Sequence, residues 1–161
     1  MKQKHYLMAL LLTLTACSRG VYAADPYVGA SLGVGGHQYQ PGASANLFAG
    51  YGGKLNNDIY VGAEANAELG HYRGLGNTYG IGASLMPGLM ITNNTMLFGR
   101  IGEEFTMATH SNDSVTFGTV YGAGLQNKLN KNWDIRGEYK YTNSKGGDSS
   151  YNLGLVYNLG D

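Results

Sequence analysis

The stretch Ile59-Tyr60-Val61-Gly62-Ala63-Glu64-Ala65-Asn66-Ala67-Glu68-Leu69-Gly70 alternates without a slip. In an extended chain Ile59, Val61, Ala63, Ala65, Ala67 and Leu69 share one face, and Tyr60, Gly62, Glu64, Asn66, Glu68 and Gly70 share the other. An amphipathic helix repeats its apolar residues every three or four positions, so a strict period of two excludes it. The segment is a strand with one purely apolar face and one small or charged face.

The same period recurs on both sides of it. Val28, Ala30, Leu32 and Val34 mark a first strand, Ala45, Leu47, Ala49 and Tyr51 a second, and Tyr79, Ile81, Ala83 and Leu85 a fourth. A fifth places Leu97, Gly99 and Ile101 against Phe98, Arg100, Gly102 and Glu104, with Phe98 blurring its phase. The sixth sets Tyr121, Ala123 and Leu125 against Gly122, Gly124 and Gln126. In the seventh, Trp133, Ile135, Gly137, Tyr139 and Tyr141 alternate with Asp134, Arg136, Glu138 and Lys140. The eighth pairs Leu153, Leu155, Tyr157 and Leu159 with Asn152, Gly154, Val156 and Asn158.

Seven turn-forming clusters separate these eight runs: Gln40-Pro41-Gly42, Asn56-Asn57-Asp58, Gly74-Leu75-Gly76-Asn77, Asn93-Asn94, Ser111-Asn112-Asp113, Asn130-Lys131-Asn132 and Lys145-Gly146-Gly147-Asp148. With both termini on the periplasmic side, the second, fourth and sixth become inner turns. The other four become external loops, expected at about six to twelve residues each.

The amino terminus has a different organisation. Lys2 and Lys4 precede an apolar run, Leu7–Ala16, that is too short to cross a bilayer as a helix and reads as a secretory leader. Residues 1–23 are read as a signal peptide, with a small-x-small site at Val21-Tyr22-Ala23, and 24–161 as the barrel domain. The run Leu14-Thr15-Ala16-Cys17 also resembles a lipoprotein box, so an acylated Cys17 is the alternative.

Composition narrows the function classes. Lys2, Lys4 and Arg19 fall in the leader, leaving eight basic residues against eleven acidic ones, which argues against a nucleic-acid groove. Cys17 is the single cysteine, so the barrel domain has no thiol for a disulfide, redox couple or thiolate metal site, and no cofactor is expected. No later stretch is long and apolar enough for a membrane helix, so membrane insertion must be by barrel.

Alternation alone also fits a soluble barrel, with the apolar face turned inward. Three features favour lipid outside. The polar face is rich in glycine, as a narrow filled lumen requires. Apolar-face aromatics gather at strand ends, with Tyr51, Trp133 and Tyr157 toward the periplasm and Tyr79, Phe105 and Tyr141 toward the outside, forming two girdles. The third feature is the closing segment. The expectation is an all-β, eight-stranded antiparallel up-and-down transmembrane β-barrel in the bacterial outer membrane.

Asn152-Leu153-Gly154-Leu155-Val156-Tyr157-Asn158-Leu159 resembles the carboxy-terminal β-signal of outer-membrane proteins, with Asn152, Gly154, Tyr157 and Leu159 at its marked positions. That resemblance implies recognition by the barrel-assembly machinery, although the chain continues through Gly160-Asp161 where the family usually ends on an aromatic. Trp133 to Tyr141 is similar to the penultimate strand of small OmpA-like and Opa-like barrels, and Tyr27-Val28-Gly29-Ala30 to their opening strand. These families identify fold and location far better than activity.

Charged residues concentrate on the expected lumen face: Glu64, Glu68, Arg100, Glu104, Arg136, Glu138 and Lys140. Buried charges must be paired, so they form either a static salt-bridge plug or, as the OmpA-like resemblance implies, a gate that exchanges partners. His110-Ser111-Asn112 is similar to the His-x-Ser-Asn of barrel lipid A deacylases with the intervening residue missing, and also reads as a polar loop tip. His37, His71 and His110 sit at loop ends without metal-ligand spacing. Pro87-Gly88 reads as a bulge or early strand end. The expected role is non-enzymatic, structural or surface-interacting, with outer-membrane lipid and an envelope or host surface ligand as partners. A low-conductance pore and a lipid-modifying enzyme are the alternatives.

Overall fold

In the computed structural model, which describes residues 22–37, 40–74, 76–109, 115–144 and 147–160, eight strands follow one another around a closed antiparallel barrel. They are β1 Tyr22–His37, β2 Gln40–Lys54, β3 Ile59–Tyr72, β4 Gly76–Met90, β5 Thr95–Ala108, β6 Val115–Lys128, β7 Trp133–Asn143 and β8 Asp148–Asn158. Each strand pairs with its chain neighbours, and β8 closes onto β1 with Tyr27 opposite Asn158. Residues 1–21 of the leader, with Cys17 and Val21, lie outside the described residues, as do His110, Ser111 and Asn112, whereas Tyr22 and Ala23 of the expected cleavage site open β1.

The register sets the geometry. From Tyr27 the row of partners runs through Gly50, Glu64, Ser84, Gly102, Val120, Thr142 and Asp148 and returns to β1 at His37, ten residues from its start. Such a stagger tilts the strands by roughly 35–45° and leaves an interior that side chains can fill. Because the strands tilt, each row of partners climbs from the end bearing the termini toward the opposite end.

The two faces sort by solvent. Leu32, Leu47, Leu69, Ile81, Ile101, Leu125 and Leu153 point outward and are exposed, whereas Glu64, Ser84, Arg100, Glu104, Arg136 and Ser150 are buried inside. An exterior of this kind is unfavourable in water and suits hydrocarbon, where closure of the sheet satisfies every strand's backbone groups. Phe98 is buried inside and Leu97 exposed, which settles the phase of β5.

Several details differ from the sequence expectation. The connections at the end away from the termini are residues 38–39, 73–75, 109–114 and 144–147, so only one reaches six residues. Gln40-Pro41-Gly42 is not a turn, because β2 begins at Gln40, which faces His37. There strand pairing extends through the turn-forming residues, with Pro41 opposite Gly36 and Gly42 opposite Gly35. The β3–β4 connection does use its glycines, with Gly74 and Gly76 both at positive φ (86° and 74°), a conformation L side chains rarely adopt.

Pro87-Gly88 neither bulges nor ends its strand. Pairing with β3 is continuous through Val61 and Pro87, and pairing with β5 lapses at Met86 and Pro87 but resumes in the same register at Gly88 opposite Phe98. Proline removes one ladder donor, and the loss stays local because the other neighbour holds the strand.

Candidate functional site

Strands β3, β5 and β7 carry their charges on inward positions at similar heights, and the barrel is narrow enough for those side chains to meet across it. A lower group, nearer the termini, has two acids and two bases. Arg100 donates from Nε to Glu138 Oε1 at 2.5 Å and from Nη2 to Glu64 Oε1 at 2.6 Å. Arg136 donates from Nη1 to Glu64 Oε2 at 2.6 Å and from Nε to Gln126 Oε1 at 2.9 Å. The Glu64 side chain is fully buried between the two guanidinium groups, and the Tyr27 hydroxyl donates to it at 3.1 Å.

The upper group is unequal. Lys140 Nζ contacts Glu68 and donates to Glu104 Oε2 at 3.1 Å, and Asn66 Nδ2 reaches the same Glu104 oxygen at 3.4 Å. One ammonium thus serves two carboxylates. All seven charged residues read from the sequence therefore lie in the lumen, divided into two groups. Six of them, all but Glu64, line a cavity with room for about one water, about 10 Å³.

Sequence reasoning missed what lies beneath. Tyr27, Phe48 and Val156 form one buried apolar cluster, and Met86, Met96 and Phe98 a second, with Tyr60 and Met90 packed against it. The Arg136 guanidinium sits 4.7 Å from the Phe48 ring centre, 5.3 Å from that of Phe98 and 5.6 Å from that of Tyr27, a cationic plate held among aromatic faces. The signal was present as glycine. A Cβ on Gly50 would lie 2.3 Å from Tyr27 Cζ, and one on Gly124 would lie 2.6 Å from Phe98 Cζ. Lumen glycines on one strand mark where a neighbouring strand's ring lies.

Below that layer the lumen opens into a funnel of about 820 Å³ at the end bearing the termini, ringed by Asp25, Lys54, Lys128 and Asp134. Asp134 accepts from Gln126 Nε2 at 2.6 Å and from Asn158 Nδ2 at 3.2 Å, which ties the lower charge group to the rim.

On the outer wall, Tyr51, Trp133, Tyr79, Phe105 and Tyr141 are exposed and Tyr157 is partly covered by Trp133, the two rings meeting edge to face at 4.9 Å. The aromatics are not confined to two bands, because Tyr139 and Tyr151 lie against each other (ring centres 5.1 Å apart) between them. A charge interrupts the apolar wall: Glu103 is exposed on the outer face, and Thr119 on the next strand donates to its Oε1 at 3.2 Å. Its place between outward Ile101 and Phe105 puts Glu103 on that face.

Of the closing residues, Asn152 faces inward and donates to Ser150 at 3.0 Å, and Gly154 is packed under Ala30 and Ser31. Leu159 lies just beyond β8 and donates its backbone N–H to Pro26 O at 2.9 Å. His71 bonds Asn77 and is exposed. Among the described residues no three His, Cys, Asp or Glu side chains are grouped to hold a metal.

The architecture is shared with solved barrels. The attachment invasion locus protein Ail of Yersinia pestis is 19% identical, with 84% of this chain and 97% of Ail covered at a TM-score of 0.60. The neisserial surface protein NspA is also 19% identical, over 86% of this chain and all of that one, at 0.59. The outer membrane enzyme PagL is 13% identical, over 80% and 98%, at 0.58. At these identities the likeness is one of fold. No curated protein sequence is significantly similar to this one. Residues 8–158 match the family described as outer membrane protein beta-barrel domain. With a closed eight-stranded barrel, an apolar exterior and a charge-filled lumen, the chain belongs to the outer-membrane β-barrel family and is an integral protein of the bacterial outer membrane.

Proposed function

We propose that this protein is a closed, non-conducting barrel with a structural or surface-interaction role and no catalytic site, its termini in the periplasm. The observation that carries this reading is the double seal of the lumen. Two acids and two bases pair fully in the lower group, and an aromatic and methionine layer lies beneath them. Water and ions would have to part both. Two barrels of like fold, an attachment invasion locus protein and a neisserial surface protein, support a surface role, and the former has also been crystallised with the heparin analogue sucrose octasulfate. Here a surface ligand would meet strand ends more than loops, because residues 109–114 form the longest external connection.

Planar-bilayer recording of the purified protein tests the seal. Silence at all voltages is expected, and regular openings that change when Arg136 or Glu138 is neutralised would overturn it. A low-conductance pore is the second reading, favoured by the single ammonium shared between Glu68 and Glu104, since such a group can exchange partners. The leader 1–23 and the assembly signal at Asn152, Gly154, Tyr157 and Leu159 are part of the same proposal.

A further inference from the structure

Of the six methionines in the chain, Met1 and Met8 belong to the leader and Met107 is exposed on the outer wall. The other three meet inside the barrel. Met86 and Met90 lie on β4 with Gly88 between them on the same inward face, and Met90 stands opposite Met96 of β5. Gly88 lets them converge. It has no side chain, and Met96 Sδ lies 2.8 Å from where its Cβ would be. That spot is midway between Met86 and Met90, each about 7 Å away along the strand. Met86 and Met96 are buried in one cluster, and Met90 packs against it.

Methionine in a core usually fills irregular gaps. Two features here go further than filling. The first is access. Met90 and Met96 line the funnel at the end bearing the termini, and Met86 lies fully buried behind them, its Sδ 3.7 Å from the Tyr27 hydroxyl.

The second is the set of donors. Beside the three sulfurs the cluster holds the rings of Phe98 and Tyr60. Around the funnel Lys54, Lys128 and Lys131 outnumber Asp25 and Asp134, and among the described residues no three His, Cys, Asp or Glu side chains are grouped. A hard cation, which binds by charge and oxygen ligands, therefore meets repulsion and no cage. A soft cation binds by sulfur donation, which the lysines do not remove, and thioethers select Cu(I). Thioethers carry no proton to lose, so their capacity to donate does not depend on pH.

We propose that Met86, Met90 and Met96 form a thioether site for one soft monovalent cation, Cu(I) or its d10 analogue Ag(I), entered from the funnel. Met96 is the central ligand, since its sulfur lies between the other two. Ring faces on the remaining sides suit a monovalent cation. The paired charges above the cluster stay closed, so the ion is held rather than conducted.

The test is methyl NMR of the protein purified from outer membranes in zwitterionic micelles, labelled with methyl-13C methionine. Silver nitrate in chloride-free buffer is the first probe, Cu(I) under anaerobic conditions the second and zinc sulfate the control. The methyl signals of Met86, Met90 and Met96 should shift and saturate at one Ag(I) per barrel, while Met107 stays still and zinc moves none of them. Leucine nearly conserves methionine's volume, so Met96→Leu keeps the packing and removes the ligand. It should weaken Ag(I) binding at least tenfold, whereas Met107→Leu should not change it. Heat-dependent gel mobility establishes that each variant barrel is closed, and Met90→Leu, at the half-buried edge of the cluster, gives a second reading. Three unmoved inner methyls at one equivalent of Ag(I), an equal shift of Met107, or wild-type titration of Met96→Leu would overturn the proposal. None of these results bears on the bilayer recordings, so the closed-barrel reading stands or falls separately.

Discussion

Arg136 and Glu64 meet at 2.6 Å across the lumen, from strands on opposite sides of the barrel, with aromatic rings on the remaining sides of the guanidinium. This pair joins the charge group to the apolar seal, so its loss is felt by both.

Replacing Arg136 with Met keeps bulk among the rings but removes one of the two bases flanking Glu64. Breaking one side of a buried pair costs about 3–5 kcal/mol, whereas replacing both charges is often close to neutral. Arg136→Met should therefore lower the unfolding free energy by about 3 kcal/mol, and the double variant Glu64→Gln/Arg136→Met should recover part of it. Urea titration of the refolded barrel in micelles measures both, and a single variant as stable as wild type would show that the pair contributes little.

The upper group holds two carboxylates and one ammonium. Glu104→Gln removes the like-charge conflict and keeps an acceptor for Lys140. It should raise stability by up to about 1 kcal/mol, the opposite sign to Arg136→Met. A destabilised Glu104→Gln would mean that both carboxylates are needed for the lysine.

Glu103 sets a charge in the apolar wall with one hydroxyl for company. Lysine or arginine at the middle of a barrel's lipid face costs about 2–4 kcal/mol and acidic residues less. Glu103→Leu should stabilise the barrel in lipid vesicles by about 1 kcal/mol, with a smaller gain in detergent, where water reaches the wall more freely. Equal gains in both would assign the effect to strand propensity.

The Trp133 and Tyr157 rings touch edge to face at 4.9 Å near the end bearing the termini. A double-mutant cycle with alanine at both positions should return a coupling of about 1 kcal/mol. If Tyr157 also serves the assembly signal, Tyr157→Ala should in addition lower the amount of heat-modifiable barrel in cells, an effect Trp133→Ala would not share.

Much of this was legible in the residues because the two sides of the sheet meet different solvents. Ile59 to Gly70 reports that contrast at every position, and the lumen placement of Glu64, Arg100, Arg136 and Lys140 follows from parity alone. Phe98 was ambiguous because the interior is itself divided: an aromatic fits either the lipid face or the apolar layer, and parity settles it only once the neighbouring strands are in register. Gln40-Pro41-Gly42 misled because turn chemistry is local, whereas the end of a strand is set by how far its partners continue to pair. Pro87 reads as an interruption in one strand but is accommodated in the sheet, where β3 holds it. The sharing of Lys140 between two acids depends on the ten-residue stagger, which no single strand encodes.

The nearest-neighbour order of the strands has a kinetic meaning. Seven of the eight seams join segments adjacent in the chain and need only short hairpins to close, whereas the β1–β8 seam joins the two ends of the barrel domain. Loop-closure entropy delays that last seam until the other strands are in place. Until then the curved sheet has two bare edges, each a template for a foreign strand. The chain is thus most open to mispairing, and most dependent on an escort, in the interval before Tyr27 finds Asn158.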